Sequence, residues 1–341
     1  MHTPLDIKNT PNCQPHPWHP SVIYVDEGWN GHRWWMAQTP FPPKDLAPYR
    51  DRYELPCIHF SDDGIHWLPI KSNPIDDIDQ QMVDDHNYLS DPHLVLRNGT
   101  LECYYRLSLL KNRDLSNNQT LLLRKKTTDG ENWSSREVVA DLRKTDDTSI
   151  WGDQIISPAI IWDGRQYFCW YVDRNIYSNH RKIFRTTSKD GIVWDKHEVC
   201  SIACDKTIDP WHIDVQYYND SFQMIIYDDW RLYWFDSKDG INFDFVSDIL
   251  TPSQYFMDFY SEGLYRACSV KVNNSIWVYF SAANAQRASL GLLKTSDRTH
   301  FEHVKGISYL DYYIKYIVPQ ISWKNAKRMV KHELRRLNLY K

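Results

Sequence analysis

One short turn, repeated along the chain, constrains this sequence more than anything else in it. The copies read "SDDGIHW" from Ser61, "TTDGENW" from Thr127, "SKDGIVW" from Ser188, "SKDGINF" from Ser237 and a degraded "TSDRTHF" from Thr295. Their aspartates, Asp63, Asp129, Asp190, Asp239 and Asp297, are 66, 61, 49 and 58 residues apart. Asp-Gly between two β-like runs marks a tight turn, because Gly accepts a positive φ and the Asp side chain bonds the turn's own amides. Recurrence at this period indicates one four-stranded blade per copy. The expected fold is therefore all-β, a five-bladed propeller with the repeated turns as outer hairpins.

A second repeated element precedes each turn. The runs "HPSVI", "DPHLV", "SPAII", "HIDVQ" and "RACSV" align in register. Each leads, after a polar turn, into an aromatic-rich strand such as "ECYYR" or "YFCWYV". In a propeller the first strand of each blade lines the central channel. The first column of this register is a ring of His19, Asp91, Ser157, His212 and Arg266. Two imidazoles, a guanidinium and a carboxylate converging on one axis point to a binding or catalytic centre.

The propeller is expected over residues 15–318, after an N-terminal extension (1–14). No low-complexity linker interrupts the blades. The acidic loops 71–87 and 143–154 precede channel strands, where a propeller carries its binding face. From residue 319 the pattern turns helical and basic, with Ile321, Met329, Val330 and Leu334 set against Lys324, Lys327, Arg328 and Lys331. This C-terminal basic amphipathic helix over 319–341 has two readings. It packs on the flank of the propeller, or residues 321–341 dock on a protein partner or an anionic membrane surface.

Net charge is −4, from 40 basic and 44 acidic residues, so no bulk field recruits nucleic acid. Neither a secretory signal nor a membrane-spanning run is legible, which gives the expectation of a cytoplasmic protein, with the tail as its route to the inner membrane surface. The seven cysteines are odd in number, and several lie in strand-like runs, which reads as buried small hydrophobes rather than a disulfide framework. Cys200 and Cys204 lack a second pair at zinc spacing, so no metal is expected there.

Three stretches carry a resemblance. "SDPHLVLRNGTLECYYRL", "PWHIDVQYYNDSFQMIIYDD" and "SEGLYRACSVKVNNSIWVYFSA" resemble the channel strands of the five-bladed propeller glycoside hydrolases, the superfamily that includes families 43, 32, 62 and 68. Across residues 15–310 the blade pattern is similar too. The runs around "HPWHPSVIY" and "EGLYRACSV" also look like uncharacterised surface-polysaccharide synthesis proteins. The resemblance implies a glycosidase-like enzyme of polysaccharide metabolism. It assigns Asp91 as general base or nucleophile, Asp214 as the group that tunes pKa, and Glu262 as general acid. The sequence departs from the pattern where Val follows Asp214, where Leu-Tyr-Arg follows Glu262-Gly263, and where His19 stands in the first blade.

Glycoside hydrolysis needs two carboxyl groups flanking the bond, one protonated and one ionised. Under this reading His19, His212 and Arg266 bind substrate oxygens. Trp18, Trp211 and Tyr265, beside the channel strands, offer rings to a sugar face, and Asp153 and Asp209 stand in reserve. The structural alternatives are plain: Asp91 starts a strand, Asp214 pairs with Arg266, Glu262 is a loop residue, and the histidines fill the channel. The expected partner is a carbohydrate. No cofactor is expected, although a divalent ion in the funnel would be compatible with the ring. The rival function is a non-catalytic glycan-binding or scaffold propeller in polysaccharide biosynthesis.

Overall fold

The computed structural model describes residues 2–8, 16–40, 54–79, 81–82, 87–110, 118–142, 154–173, 180–255, 257–284 and 287–314. They form five antiparallel blades. Blade 1 holds β1 (Asp6–Ile7), β2 (Ser21–Trp29), β3 (His32–Gln38), β4 (Cys57–Ser61) and β5 (His66–Pro69). Blade 2 holds β6 (Tyr88–Arg97), β7 (Thr100–Leu110), β8 (Asn118–Thr127) and β9 (Glu137–Asp141). Blade 3 holds β10 (Ile156–Trp162), β11 (Tyr167–Asp173), β12 (Lys182–Ser188) and β13 (Glu198–Val199). Blade 4 holds β14 (Ser201–Ala203), β15 (His212–Tyr218), β16 (Ser221–Asp228), β17 (Arg231–Ser237) and β18 (Asn242–Leu250). Blade 5 holds β19 (Gly263–Val272), β20 (Ser275–Asn284), β21 (Arg287–Thr295) and β22 (Glu302–His303). A short helix α1 (Tyr309–Tyr312), N-capped by Ser308, follows. The basic tail 319–341 lies outside the described residues.

Four strands of each blade form an antiparallel meander, and β2, β6, β10, β15 and β19 neighbour one another around the axis. Blades stack face to face, so both faces of their middle strands are buried and strands such as "YFCWYVD" need not alternate. The core divides into five apolar clusters, one in each seam. Trp35 and Tyr105 fill the seam of blades 1 and 2, Trp170 and Phe235 that of blades 3 and 4. This packing absorbs much of the aromatic excess; full burial of a Phe or Leu side chain contributes about 1.5–3 kcal/mol.

The repeated turns do more than reverse the chain. In each, the Asp carboxylate accepts two backbone amides, as Asp63 Oδ1 does from Ile65 (2.8 Å) and His66 (2.9 Å). The Ser or Thr hydroxyl accepts a third, from Gly64 at 2.9 Å in blade 1 and from Arg298 at 2.8 Å in blade 5. The turn glycine then lies against an aromatic of the preceding blade. A Cβ on Gly130 would stand 2.5 Å from the Trp35 ring, and one on Gly64 would stand 2.6 Å from Tyr279 Oη of blade 5. In blade 5 Arg298 replaces the glycine and reaches Asp236 of blade 4. Every turn is a clasp onto its neighbour.

The ring is closed from the N-terminal side as well. Within the segment expected to be an extension, β1 pairs parallel to β5 at the outer edge of blade 1. Leu5 N donates to Leu290 O and Ile307 N to Pro4 O, so the same segment ties blade 1 to blade 5. In the same way β14, leaving blade 3, adds to the edge of blade 4 beside β18. Of the six described cysteines none is disulfide-bonded and five are buried; Cys13 lies outside the described residues. Among the described residues no helix is long and apolar enough to cross a membrane.

Candidate functional site

Three of the five ring residues stand before proline, as His19-Pro20, Asp91-Pro92 and Ser157-Pro158, and all three take left-handed backbone angles, φ 53°, 52° and 52°. Non-glycine residues seldom adopt this conformation, and it costs of order 1–3 kcal/mol per site. The ladders skip Asp91 and Ser157, with register shifts between Ser90 and His93 and between Ile156 and Ala159. A third shift, between Leu264 and Ala267, frees Arg266. The bulges re-aim the ring side chains toward the axis.

Asp91 sits at the centre and is fully buried. Its Oδ2 accepts Arg106 Nε at 2.7 Å and, at 3.4 Å, the Ser157 amide. Its Oδ1 has no hydrogen-bond partner and faces His212 Nδ1 (3.6 Å), His19 Nε2 (3.8 Å) and Arg266 Nη1 (3.8 Å). Burial opposes ionisation of Asp91, but nearby positive charge, the Arg106 guanidinium first and Arg266 behind it, outweighs it and holds the carboxyl far below its ordinary range. The pKa of His212 is lowered as well, chiefly by burial, and its imidazole stays neutral at pH 7. Neither of its ring nitrogens has a hydrogen-bond partner. One ligand atom each from His19, Asp91 and His212 lie within 4.8 Å of one another. Two imidazoles and a carboxylate are a common ligand set for a catalytic transition metal.

A second layer holds this group. His19 Nδ1 is 2.7 Å from Thr39 Oγ1 and 3.4 Å from Glu54 Oε2, which leaves Nε2 turned to Asp91. Burial raises the Glu54 carboxyl above its ordinary value, with His19 opposing and Asp91 adding to the rise. Arg266, fully buried, has no hydrogen-bond partner on any of its three side-chain nitrogens. Above the centre Trp18 stacks on Tyr265 at 5.2 Å, and Tyr265 lies edge-on to His212 at 4.3 Å. Trp211 donates its indole N–H to Tyr265 Oη at 2.7 Å, and Arg181, paired with Asp209, lies over the Trp211 ring at 4.4 Å.

The structure thus gathers His19, Asp91, His212, Arg266, Trp18, Trp211 and Tyr265, and turns the Asp214 carboxylate toward a different partner. Asp214 is buried in the seam of blades 4 and 5, where Oδ2 accepts the Ser269 amide at 3.0 Å and burial raises its pKa to about 6. Its neighbour His212, not Asp214, faces Asp91. Glu262 is exposed beside β19. Asp153 lies outside the described residues. The carboxyl beside His19 is Glu54, which the sequence reading missed because no strand pattern surrounds it. Arg106 and Thr39 were also missed. Both lie at the axial end of a blade's second strand, Arg106 pairing with Ser90, so carrying the ring register one strand outward would have found them. A hollow of about 650 Å³ beside Arg97 and Trp133 lies on the opposite, turn-bearing face.

No family model matches the chain. It is 27% identical over 282 residues to the A type blood N-acetyl-alpha-D-galactosamine deacetylase of Flavonifractor plautii, a match covering 69% of this chain and 35% of that protein. The chain spans about a third of that curated relative. A solved N-acetylgalactosamine deacetylase from F. plautii, in complex with blood group B trisaccharide, superposes with a TM-score of 0.67 at 20% identity, over 86% of this chain and 94% of that one. A β-xylosidase superposes with a TM-score of 0.58 at 12% identity, over 86% and 97%. The fold of this chain is the five-bladed propeller that these carbohydrate-processing enzymes also have.

Proposed function

We propose that the chain is a carbohydrate-processing hydrolase in which His19, Asp91 and His212 hold a divalent cation, and that it removes an acyl group from an N-acylated sugar. The convergence of those three side chains carries this reading. Asp91 is ionised, His212 is neutral, and their facing atoms Oδ1 and Nδ1 have no other hydrogen-bond partner, the protonation states and vacancies a cation requires. A divalent cation held by these residues would supply Lewis acidity and a lowered pKa for bound water. Arg106 fixes the Asp91 carboxylate by one oxygen and leaves the other turned inward. Thr39 and Glu54 fix the ring of His19 through Nδ1, as outer partners of ligating histidines do. Trp18, Trp211 and Tyr265 shape an aromatic mouth for the sugar. Tyr265, kept neutral chiefly by burial, accepts the Trp211 indole and keeps its own proton as a donor. The 27% identity to a sugar deacetylase supports the choice of bond.

A second reading moves the cleavage to a glycosidic linkage, with Glu54 as proton donor and Asp91 as its ionised partner. The opposite pKa directions of these two carboxyls favour it. One experiment separates the two: incubate the chain with N-acetylated glycans and measure acetate and new reducing ends, with and without a chelator. Acetate release abolished by chelator and restored by divalent metal supports deacylation. Chelator-insensitive formation of reducing ends replaces it with glycosidic cleavage.

A further inference from the structure

The hairpin between β16 and β17 turns in two residues, Asp229 and Trp230, with Asp228 paired to Arg231. Both central residues have positive φ, 42° and 63°. Turns of this kind take Asn, Asp or Gly, and the hairpins at Asn30-Gly31, Asn98-Gly99 and Asn219-Asp220 do so. Trp230 breaks the rule, setting the bulkiest side chain where left-handed backbone strains it most. It gains little burial in return, being 47% exposed. The Cε3–Cζ3 edge of its ring lies against Gly263 of blade 5, where a Cβ would stand 2.5 Å from both atoms. A strained, exposed indole seated on a glycine of the next blade is not explained by packing, and strain of this kind gathers at ligand clamps.

Its position gives the ligand. The turn is at the axial-mouth end of β16, because Tyr227 pairs with His212. From the buried centre an aromatic wall rises in steps, His212 to Tyr227 at 5.9 Å and Tyr227 to Trp230 at 6.5 Å, with Tyr265 4.9 Å from Tyr227. Each step is of the order of one sugar ring.

We propose that Trp230 is the stacking platform of an outer sugar subsite, so that the substrate is an oligosaccharide or polysaccharide chain lying along the seam of blades 4 and 5 with one sugar in the funnel. This rests on the carbohydrate reading of the site and deepens it. The occupant is the continuation of the same glycan, because the wall is continuous with the centre.

The test is glycan binding by the full chain, using N-acetylglucosamine, N-acetylgalactosamine, and their oligomers of two to six units as probes. Wild type is expected to bind oligomers more tightly than monosaccharides. Trp230→Gly should keep or raise Tm, since glycine suits the turn, and weaken oligomer binding about tenfold, the size of one aromatic contact, with monosaccharide binding unchanged. Gly263→Ala, which displaces the ring without removing it, should weaken the oligomers in the same direction. Oligomer binding equal to wild type in Trp230→Gly, or no oligomer preferred over its monosaccharide, overturns the subsite. Failure of the deacylase reading shows separately, as absence of acetate release while the Trp230-dependent oligomer preference persists.

Discussion

His212 Nδ1 stands 3.6 Å from Asp91 Oδ1, two buried groups both held in their deprotonated forms, brought together from blades 4 and 2 with no hydrogen bond between them. A cation between them would relieve both. Asp91→Asn is therefore expected to lower divalent-metal affinity at least about hundredfold and to remove turnover. The Asn variant retains an oxygen for Arg106, so its Tm separates loss of the site from loss of the fold.

Thr39 and Glu54 would act on a cation through His19, whose Nδ1 they face. Glu54→Gln should weaken metal affinity about 10- to 100-fold, the range for outer partners of ligating histidines, and raise the metal concentration needed for half-maximal activity. Activity restored at high metal distinguishes this positioning role from that of a proton donor, whose loss added metal would not repair.

Glu262 and Asp214 test the alternative set of carboxylates. Glu262→Gln is expected to leave kcat within about twofold, because the side chain is exposed whereas the convergent groups of the centre are buried. Loss of more than a hundredfold would return the active site to the arrangement implied by the glycoside hydrolase resemblance.

How much of this was legible in the sequence depends on the distance over which each feature is encoded. The five turns are local signals, with Asp and Gly at fixed offsets, and they gave the blade count directly. The ring residues were legible because each channel strand opens with a repeated pattern, and the same alignment placed His212 rather than Asp214 on the axis. The clasp of Gly64 on Tyr279 spans 215 residues and could not be read from either segment alone. Glu54 enters the site from a stretch without periodicity, and its role follows only from where His19 points.

The clasps are testable as stability elements. Gly64→Ala forces a side chain onto φ 74° and places its Cβ 2.6 Å from Tyr279 Oη, so it should cost about 2–4 kcal/mol. Gly31→Ala, at φ 85° with open space around it, meets the backbone term alone, about 1–2 kcal/mol. Denaturant midpoints of the two variants check the difference.

Acid should loosen the same closure. His59 is buried with Nε2 2.9 Å from Lys8 O of the N-terminal segment, and burial lowers its pKa to about 4. The unfolded chain binds this proton below about pH 6.5 and the folded chain only near 4, so the stability is present above 6.5 and is lost as pH falls toward 4. The loss is about 1.4 kcal/mol per pH unit for this one group at most. His303, stacked on His2 at 3.9 Å and likewise lowered to about 4, chiefly by burial, adds in the same direction. Tm measured across pH 4–7 should fall on acidification, with a shallower slope in His59→Gln.

The most direct measurement is calorimetric titration of zinc or manganese into chelator-treated protein, wild type beside His212→Ala. The account predicts one saturable site per chain in wild type and its loss in the variant with the fold intact. A wild-type chain that binds no divalent metal, or a variant that binds it equally well, would contradict the centre formed by His19, Asp91 and His212.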